Sequence, residues 1–542
     1  MVRWRKSLAR SFEFIGRGAV GQGVPKLRRV GGMATIPAAH AEQPPLPLVA
    51  ITFAVMAAII MNVLDTTIVN VALPNMEGAL RANADQGTWI LTTYLLAMVI
   101  VTPLTGLIVE RFGQERAMLW SVGVFVFSSA MCGQAHSLAE MVFWRFLQGA
   151  FGAAMVPIGQ SVLVSSYPPE RRGVAMATLG MGIMLGPIAG PILGGLLTDT
   201  VGWRWCFYVN VPVGLLALLL IWLYVPQSGK STQPRRIDWL GFLLMAIGLG
   251  GLQIVLSLGN QDDWFSSHFI VSVTLMALVA LLFFVWRCLE IAYPVVNLRL
   301  LKDRALALGS AGIGIFGLAL YGVMVILPIY LQDHMGYEAV TSGYVMAPQG
   351  VGAMISMWVS GRLINRGASA RWMVFSGILL GLWGSWYTIH YDLSVSPWWI
   401  VFPGFIRGLG LGLISIPIFN LAFATLTKEQ TAEGSGIFNL MRNLGGSVGI
   451  AIISTIMSEQ TQAGWNQIGG HINTFSDALR RYWHASGLHP DPSTWAIMGQ
   501  TLGQQSAMRG ILDAFTLVFY SFIAMIPLVL LMPRRKAPEH RQ

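Results

Sequence analysis

Asp65 is the residue whose setting most demands a chemical reason. It stands in Leu64-Asp65-Thr66-Thr67-Ile68-Val69-Asn70, inside a long apolar run. A carboxylate held at mid-membrane depth costs about 2.5 to 3.5 kcal/mol on insertion scales. Such a group either exchanges a proton or is a polar residue satisfied for structural reasons. Two cations lie at comparable depth: Arg145, in Arg145-Phe146-Leu147-Gln148-Gly149, and Arg407, in a later apolar run. Counting about 1.5 Å per residue from the outer helix ends brings Asp65 and Arg145 to similar levels, with Arg407 a second possible partner. Pairing with either would offset both desolvation costs and leave a site poised to exchange a proton.

Two further patterns are mechanical. Gly182, Gly186, Gly190 and Gly194 recur every four residues, with Pro187, Pro191 and Gly195 beside them. Small residues at that spacing let helix backbones approach closely, and the prolines permit kinking. The ridge is either ordinary helix packing or a pliant interface between two halves of the chain. The second pattern is a loop, Gly106 to Arg116, in which Glu110 and Arg111, Gly113, and then Arg116 bring mixed charges to a helix boundary. It is either a latch between conformational states or a simple topology signal.

These residues need apolar helices to hold them. The 542 residues are 54% hydrophobic and 11% charged, where soluble domains carry about 25% charged residues. The fold class is therefore an all-α polytopic membrane protein. Apolar runs fall near 48–73, 88–108, 117–135, 139–163, 173–198 and 206–225, then 238–259 and 267–290, then 305–331, 339–361, 372–391, 399–425, 434–456 and 512–532. The spacing predicts fourteen transmembrane helices arranged as six, two and six. Residues 46–225 form one half, 226–304 a two-helix insert, and 305–532 the other half with a long polar external segment at 457–511. Residues 1–45 and 533–542 are tails. Most of the 35 Lys and Arg fall in the tails and even-numbered loops, which predicts both termini in the cytoplasm. The net charge of +10 is thus a topology signal and not a nucleic-acid surface.

Other groups carry less. Cys132, Cys206 and Cys288 have no metal-ligand spacing, and His471, His484 and His489, with Trp483 and Trp495, read as surface residues of the external segment. No metal site is expected. The basic first 45 residues lack the apolar core of a signal peptide, and Met33 is an alternative start. Neither His-Glu-x-x-His nor Gly-x-x-x-x-Gly-Lys-Ser/Thr occurs, so an enzyme or an ATP-driven pump is not expected.

The chain also repeats itself. Gly106, Arg111 and Arg116 recur in register as Gly361, Arg366 and Arg371, and Pro157 is matched by Pro417. Repeated halves with a site between them are a transporter's organisation. The segments resemble the major facilitator superfamily, in its fourteen-helix drug/proton antiporter branch of EmrB/QacA type, over about residues 46 to 532. Leu64 to Pro74 looks like the branch's first-helix motif, the Gly106 loop like motif A, Arg145 to Pro157 like motif B, and Gly186-Pro187-Ile188-Ala189-Gly190-Pro191 like the antiporter motif C. Tyr167-Pro168-Pro169, Asn210-Val211-Pro212, Arg235-Arg236-Ile237-Asp238, Asp263-Trp264-Phe265-Ser266-Ser267 and Arg442-Asn443-Leu444-Gly445-Gly446-Ser447 match as well. Asp263 to Ser267 and the external segment are closer to the EmrB side. Glu110 stands where the family has Asp, and Gln114 where it commonly has a basic residue.

The resemblance implies an inner-membrane pump that exports small lipophilic molecules by alternating access, driven by protons and using no other cofactor. One charge crossing 100 mV supplies about 2.3 kcal/mol. It implies coupling at Asp65 with Arg145 or Arg407, and gating by the motif A loop, motif C and Arg442. It also implies an EmrA-like periplasmic adaptor with an outer-membrane channel. Helix position suggests Trp89, Tyr94 and Tyr321 as pocket walls. The competing readings are a proton-coupled importer, an exporter of one metabolite such as a fatty acid or siderophore, and a membrane receptor or sensor.

Overall fold

The computed structural model describes residues 48–168, 171–227, 238–470 and 491–531, with isolated positions between 471 and 490. The basic tails, Arg235 and Arg236, Pro169, and His471, Trp483, His484 and His489 lie outside the described residues.

Apolar runs in lipid satisfy their backbone groups internally, so they become helices. The first six rods are α1 (Leu48–Leu80), α2 (Gln86–Phe112, with a 3-10 turn at Thr102–Leu104), α3 (Gln114–Gln134), α4 (Leu138–Ser166), α5 (Arg172–Thr200) and α6 (Trp205–Tyr224). Then follow α7 (Trp239–Leu258) and α8 (His268–Glu290). The last six are α9 (Arg304–Ile329), α10 (Ala339–Asn365), α11 (Ala370–Thr388), α12 (Pro397–Ala422), α13 (Lys428–Gly469) and α14 (Pro492–Leu531). Among the described residues, 12 helices are long and apolar enough to cross a membrane. α10 and α11 are outside that set, because polar and small residues dilute them, yet both pack against the apolar α12.

Polar residues at the helix ends take up the free backbone donors. Asn83 and Gln86 cap each other at the start of α2, and Thr427 and Gln430 do so at α13. Asp303 accepts from the amides of Ala305 and Leu306 at α9. Each such cap is worth about 1 kcal/mol.

α1 to α6 pack on one another, and α9 to α14 do the same. α7 and α8 form a hairpin tied by the Arg287 guanidinium, which donates to both oxygens of Asp238 at 2.7 to 3.0 Å. The hairpin lies against α2 and α13, and Trp264 donates to Thr455 across 2.9 Å. The halves meet along α5 and α10, and where α13 crosses the ends of α2 and α4.

One expectation changes in kind. The polar stretch 457–511 is helical over 457–469 and 492–511, because α13 runs for 42 residues and α14 for 40. A span needs about 20 residues, so both helices continue well beyond a bilayer as an antiparallel pair. Trp495 is the second helix's share of that extension.

Candidate functional site

α1, α4 and α6 bring one polar cluster into the apolar interior of the first half. Arg145 Nη1 donates to Asp65 Oδ2 at 2.7 Å, and the two side chains are 1% and 0% exposed. Gln148, one turn from Arg145 on α4, accepts from Arg145 Nη1 at 2.8 Å and donates to Asp65 Oδ1 at 2.9 Å. Asn210 on α6 donates to Asp65 Oδ1 at 2.8 Å and to Ser129 Oγ at 3.0 Å. Arg145 Nε donates to the Ile90 carbonyl at 3.2 Å, and its guanidinium lies 4.1 Å from the centre of the Tyr94 ring. Tyr94 in turn donates to Asn62 at 2.8 Å. A buried pair repays its desolvation only when its remaining lone pairs and protons are also satisfied. Here Gln148, Asn210, Ile90 and Tyr94 supply those partners.

The pairing left open by the sequence is therefore decided for Arg145. Arg407 is buried in the second half, on α12, where Nη2 donates to Gln349 Oε1 at 2.7 Å. It does not reach Asp65, because a different half of the molecule holds it. Gln148, Asn210, Ser129 and Asn62 were not singled out from the sequence as site residues. The available signal was an amide side chain one helical turn from a buried arginine.

Of the two readings of the glycine ridge, the contacts fit helix packing within the first half. A Cβ on Gly186 would run into Val63, and one on Gly190 into the Thr67 side chain. One on Gly194 would come within 3.0 Å of the Ile68 carbonyl. Thr67 also donates to the Gly186 carbonyl at 3.0 Å. The ridge thus faces α1, the helix that carries Asp65, and not the interface between halves. The opposite side of α5 makes that interface, where Ile188 and Ile192 fill the space left by Gly350 and Gly343 of α10. Pro191 is part of the same helix; of Pro187 only the backbone is described.

The motif-A-like loop does touch the other half. A Cβ on Gly106 would meet Glu433 of α13 at 2.7 to 3.0 Å, and Glu110 lines a crevice with Glu433 and Asn297. Asn297 donates to Glu433 at 3.2 Å. Gly113 takes φ 80, which suits glycine and starts α3. Arg111 and Arg116 are exposed. Gln114 donates to Ser161 of α4 at 2.8 Å. Nearby, Gln160 of α4 accepts from Ser435 and from Asn439 of α13, the latter at 2.7 Å. Arg442 lies further along α13, half-buried, where its carbonyl would block a Cβ on Gly317 of α9.

The three suggested pocket residues separate. Trp89 packs against the cluster of Val255, Leu258, Ile270 and Val273 in the inserted hairpin. Tyr94 belongs to the ion-pair cluster. Tyr321 covers Gly446 on α13. Cys132, Cys206 and Cys288 are buried and free.

The buried carboxylate is thus held by one arginine and two amides in a bundle of two helical halves. The sequence matches the Major Facilitator Superfamily over residues 55–450. The chain belongs to that family. It is 34% identical over 490 residues to the multidrug export protein EmrB of Escherichia coli K12, covering 88% of this chain and 94% of that one. It is 31% identical over 510 residues to the fatty acid resistance protein FarB of Neisseria gonorrhoeae, covering 92% and 99%. The crystal structure of the human organic anion transporter MFSD10 (TETRAN) superposes with a TM-score of 0.55 at 15% identity, covering 89% of this chain and all of that one. That likeness concerns the fold. As an EmrB-type member of the superfamily the chain is a multi-pass inner-membrane transporter and not an enzyme.

Proposed function

We propose that this transporter is a proton-coupled antiporter that exports small lipophilic molecules by alternating access, with fourteen spans and both termini in the cytoplasm. The observation that carries the reading is the buried Asp65 cluster. Protonating Asp65 removes the charge that Arg145 answers, while Gln148, Ile90 and Tyr94 keep the guanidinium in place. Arg145 is then free to stay put while α1 moves. α1 lies on the glycine ridge of α5, and α5 carries the contact with α10 of the other half. A change at Asp65 therefore has a continuous packed route to the interface between halves. A ligand or proton shifts such an equilibrium only through contacts that differ between states. The contacts expected to break are those of Gly106 with Glu433 and of Gln160 with Ser435 and Asn439.

The relatives' names support the substrate class: one is a multidrug exporter and another confers fatty acid resistance. The extension of α13 and α14 past the bilayer offers a surface for a periplasmic adaptor of EmrA-like type, which would hand substrate to an outer-membrane channel. The test is uptake of lipophilic compounds by everted vesicles energised with a proton gradient. The antiporter reading expects accumulation that collapses on adding an uncoupler. Lack of accumulation of every compound tried would favour a receptor.

A further inference from the structure

Arg407 is 1% exposed, and among the described residues it forms no ion pair. Its Nε and Nη1 have no hydrogen-bond partner, and Nη2 meets only the neutral amide oxygen of Gln349. An arginine does not escape burial by shedding its proton. Arg145 shows what a satisfied arginine looks like in this same bundle, with a carboxylate, an amide, a carbonyl and an aromatic face around it. Among the described residues, Arg407 has one of these four. Its planar fork matches a carboxylate in a two-point contact, and no carboxylate among the described residues provides one there.

Gln349 connects this arginine to a small cavity. It lines a cavity of about 30 Å³ between the halves, walled by Met184 and Ile188 of α5 and by Leu320, Val323 and Met346 of the second half. The wall is apolar with one polar end. Methionine is unbranched and adaptable, so such a wall reshapes around an alkyl or aryl body when the halves move.

We propose that Arg407 and Gln349 form an anion-accepting site, at which the headgroup of an amphipathic carboxylate replaces the Gln349 oxygen on the guanidinium while its apolar body lies along the methionine-lined wall. The site sits in the half that lacks the Asp65 pair, so anion recognition and proton exchange occupy separate halves. The proposal rests on the exporter reading and names a substrate class for it.

The experiment uses the full-length protein in phosphatidylcholine vesicles, with dodecanoate and dodecyltrimethylammonium as matched probes of opposite charge. Two measurements are made: transport driven by a proton gradient, and protection against thermal unfolding by each probe. Arg407→Gln should lower dodecanoate transport at least about tenfold and abolish dodecanoate protection, with dodecyltrimethylammonium transport held within about twofold. Gln349→Glu, which places a carboxylate beside the arginine, should block dodecanoate in the same way in a protein at least as stable as the parent. Dodecanoate protection that survives Arg407→Gln overturns the proposal, as does an equal loss for both probes in a folded variant. A parent protein that moves neither probe contradicts the exporter reading, and the protection measurement then still decides the site. Repeating it with phosphatidylglycerol in the vesicles separates a free carboxylate from a lipid headgroup. Suppression of dodecanoate protection by that lipid, in the parent only, would make the lipid the occupant and overturn the substrate assignment.

Discussion

The two halves of this transporter bury an arginine each and treat it in opposite ways. In the first half, Arg145 has a carboxylate partner whose other lone pairs are filled by Gln148 and Asn210. In the second half, Arg407 has an amide and two idle donors. The repeated helical framework thus supports one closed charge and one open one. Burial alone does not tell what a charge is for; the completeness of its partners does. A complete cluster responds when one member is neutralised, whereas an incomplete one responds when something arrives.

The contrast predicts unequal costs. Arg145→Gln leaves Asp65 buried without its counter-ion and should cost about 3 to 5 kcal/mol. Arg407→Gln removes a charge that has no counter-ion among the described residues, so its cost should stay within about 1 kcal/mol or turn favourable. The three buried free cysteines make the measurement simple, since a thiol-reactive dye reports unfolding on heating. Equal losses for the two variants would erase the distinction.

The halves also differ in how closely their first and fifth helices approach. A Cβ on Gly445 of α13 would fall on the backbone of Gly314 in α9, which has no side chain to turn aside. A Cβ on Gly194 of α5 would stand 3.0 Å from the Ile68 carbonyl of α1. Gly445→Ala should therefore cost about 3 kcal/mol and Gly194→Ala about 1 kcal/mol, the two ends of the usual overpacking range. The same thermal assay ranks them, and a reversed order would contradict the packing.

Asn210→Leu removes one donor from Asp65 Oδ1 and one from Ser129. A hydrogen bond to a charged group is worth about 1.5 to 3 kcal/mol, so stability should fall by that amount while the Arg145 contact persists. No loss would mean that Asn210 does not support the carboxylate.

The smallest effect belongs to the hairpin between the halves. Burial works against the Asp238 carboxylate, but the Arg287 guanidinium and the Gly241 amide prevail and hold its carboxyl below the usual range. Its contribution is therefore present above the ordinary carboxylate range and lost as pH falls through the lowered value. Asp238→Asn should flatten that acid-side decline by lowering the unfolding midpoint slightly near neutrality, where the pair contributes, and leave it unchanged in acid, where the parent has already lost the contribution. An unchanged acid limb would exclude the pair as its source.

Much of this was legible in the sequence because charge inside apolar runs is conspicuous. Asp65 and Arg145 stand out by cost, and equal depth on antiparallel helices matched them. Depth does not fix azimuth, which is why Arg407 remained a rival until the halves were seen to separate it from Asp65. Azimuth also hid the direction of Trp89 and the partner of the glycine ridge: glycines every four residues announce close approach but not to which helix. The helical extension of α13 and α14 gives no signal in the sequence, because outside a bilayer a helix needs no continuous apolar run. Gln148 and Asn210 were in view, but an amide in a membrane helix gains meaning only from what it touches.

The central claim is that Asp65 couples protons to export. It is tested most directly by Asp65→Asn in proteoliposomes, comparing substrate accumulation driven by a pH gradient with substrate counterflow, which needs no proton. The account predicts that gradient-driven accumulation disappears while counterflow continues. An Asp65→Asn protein that still concentrates substrate when the gradient is applied would contradict it.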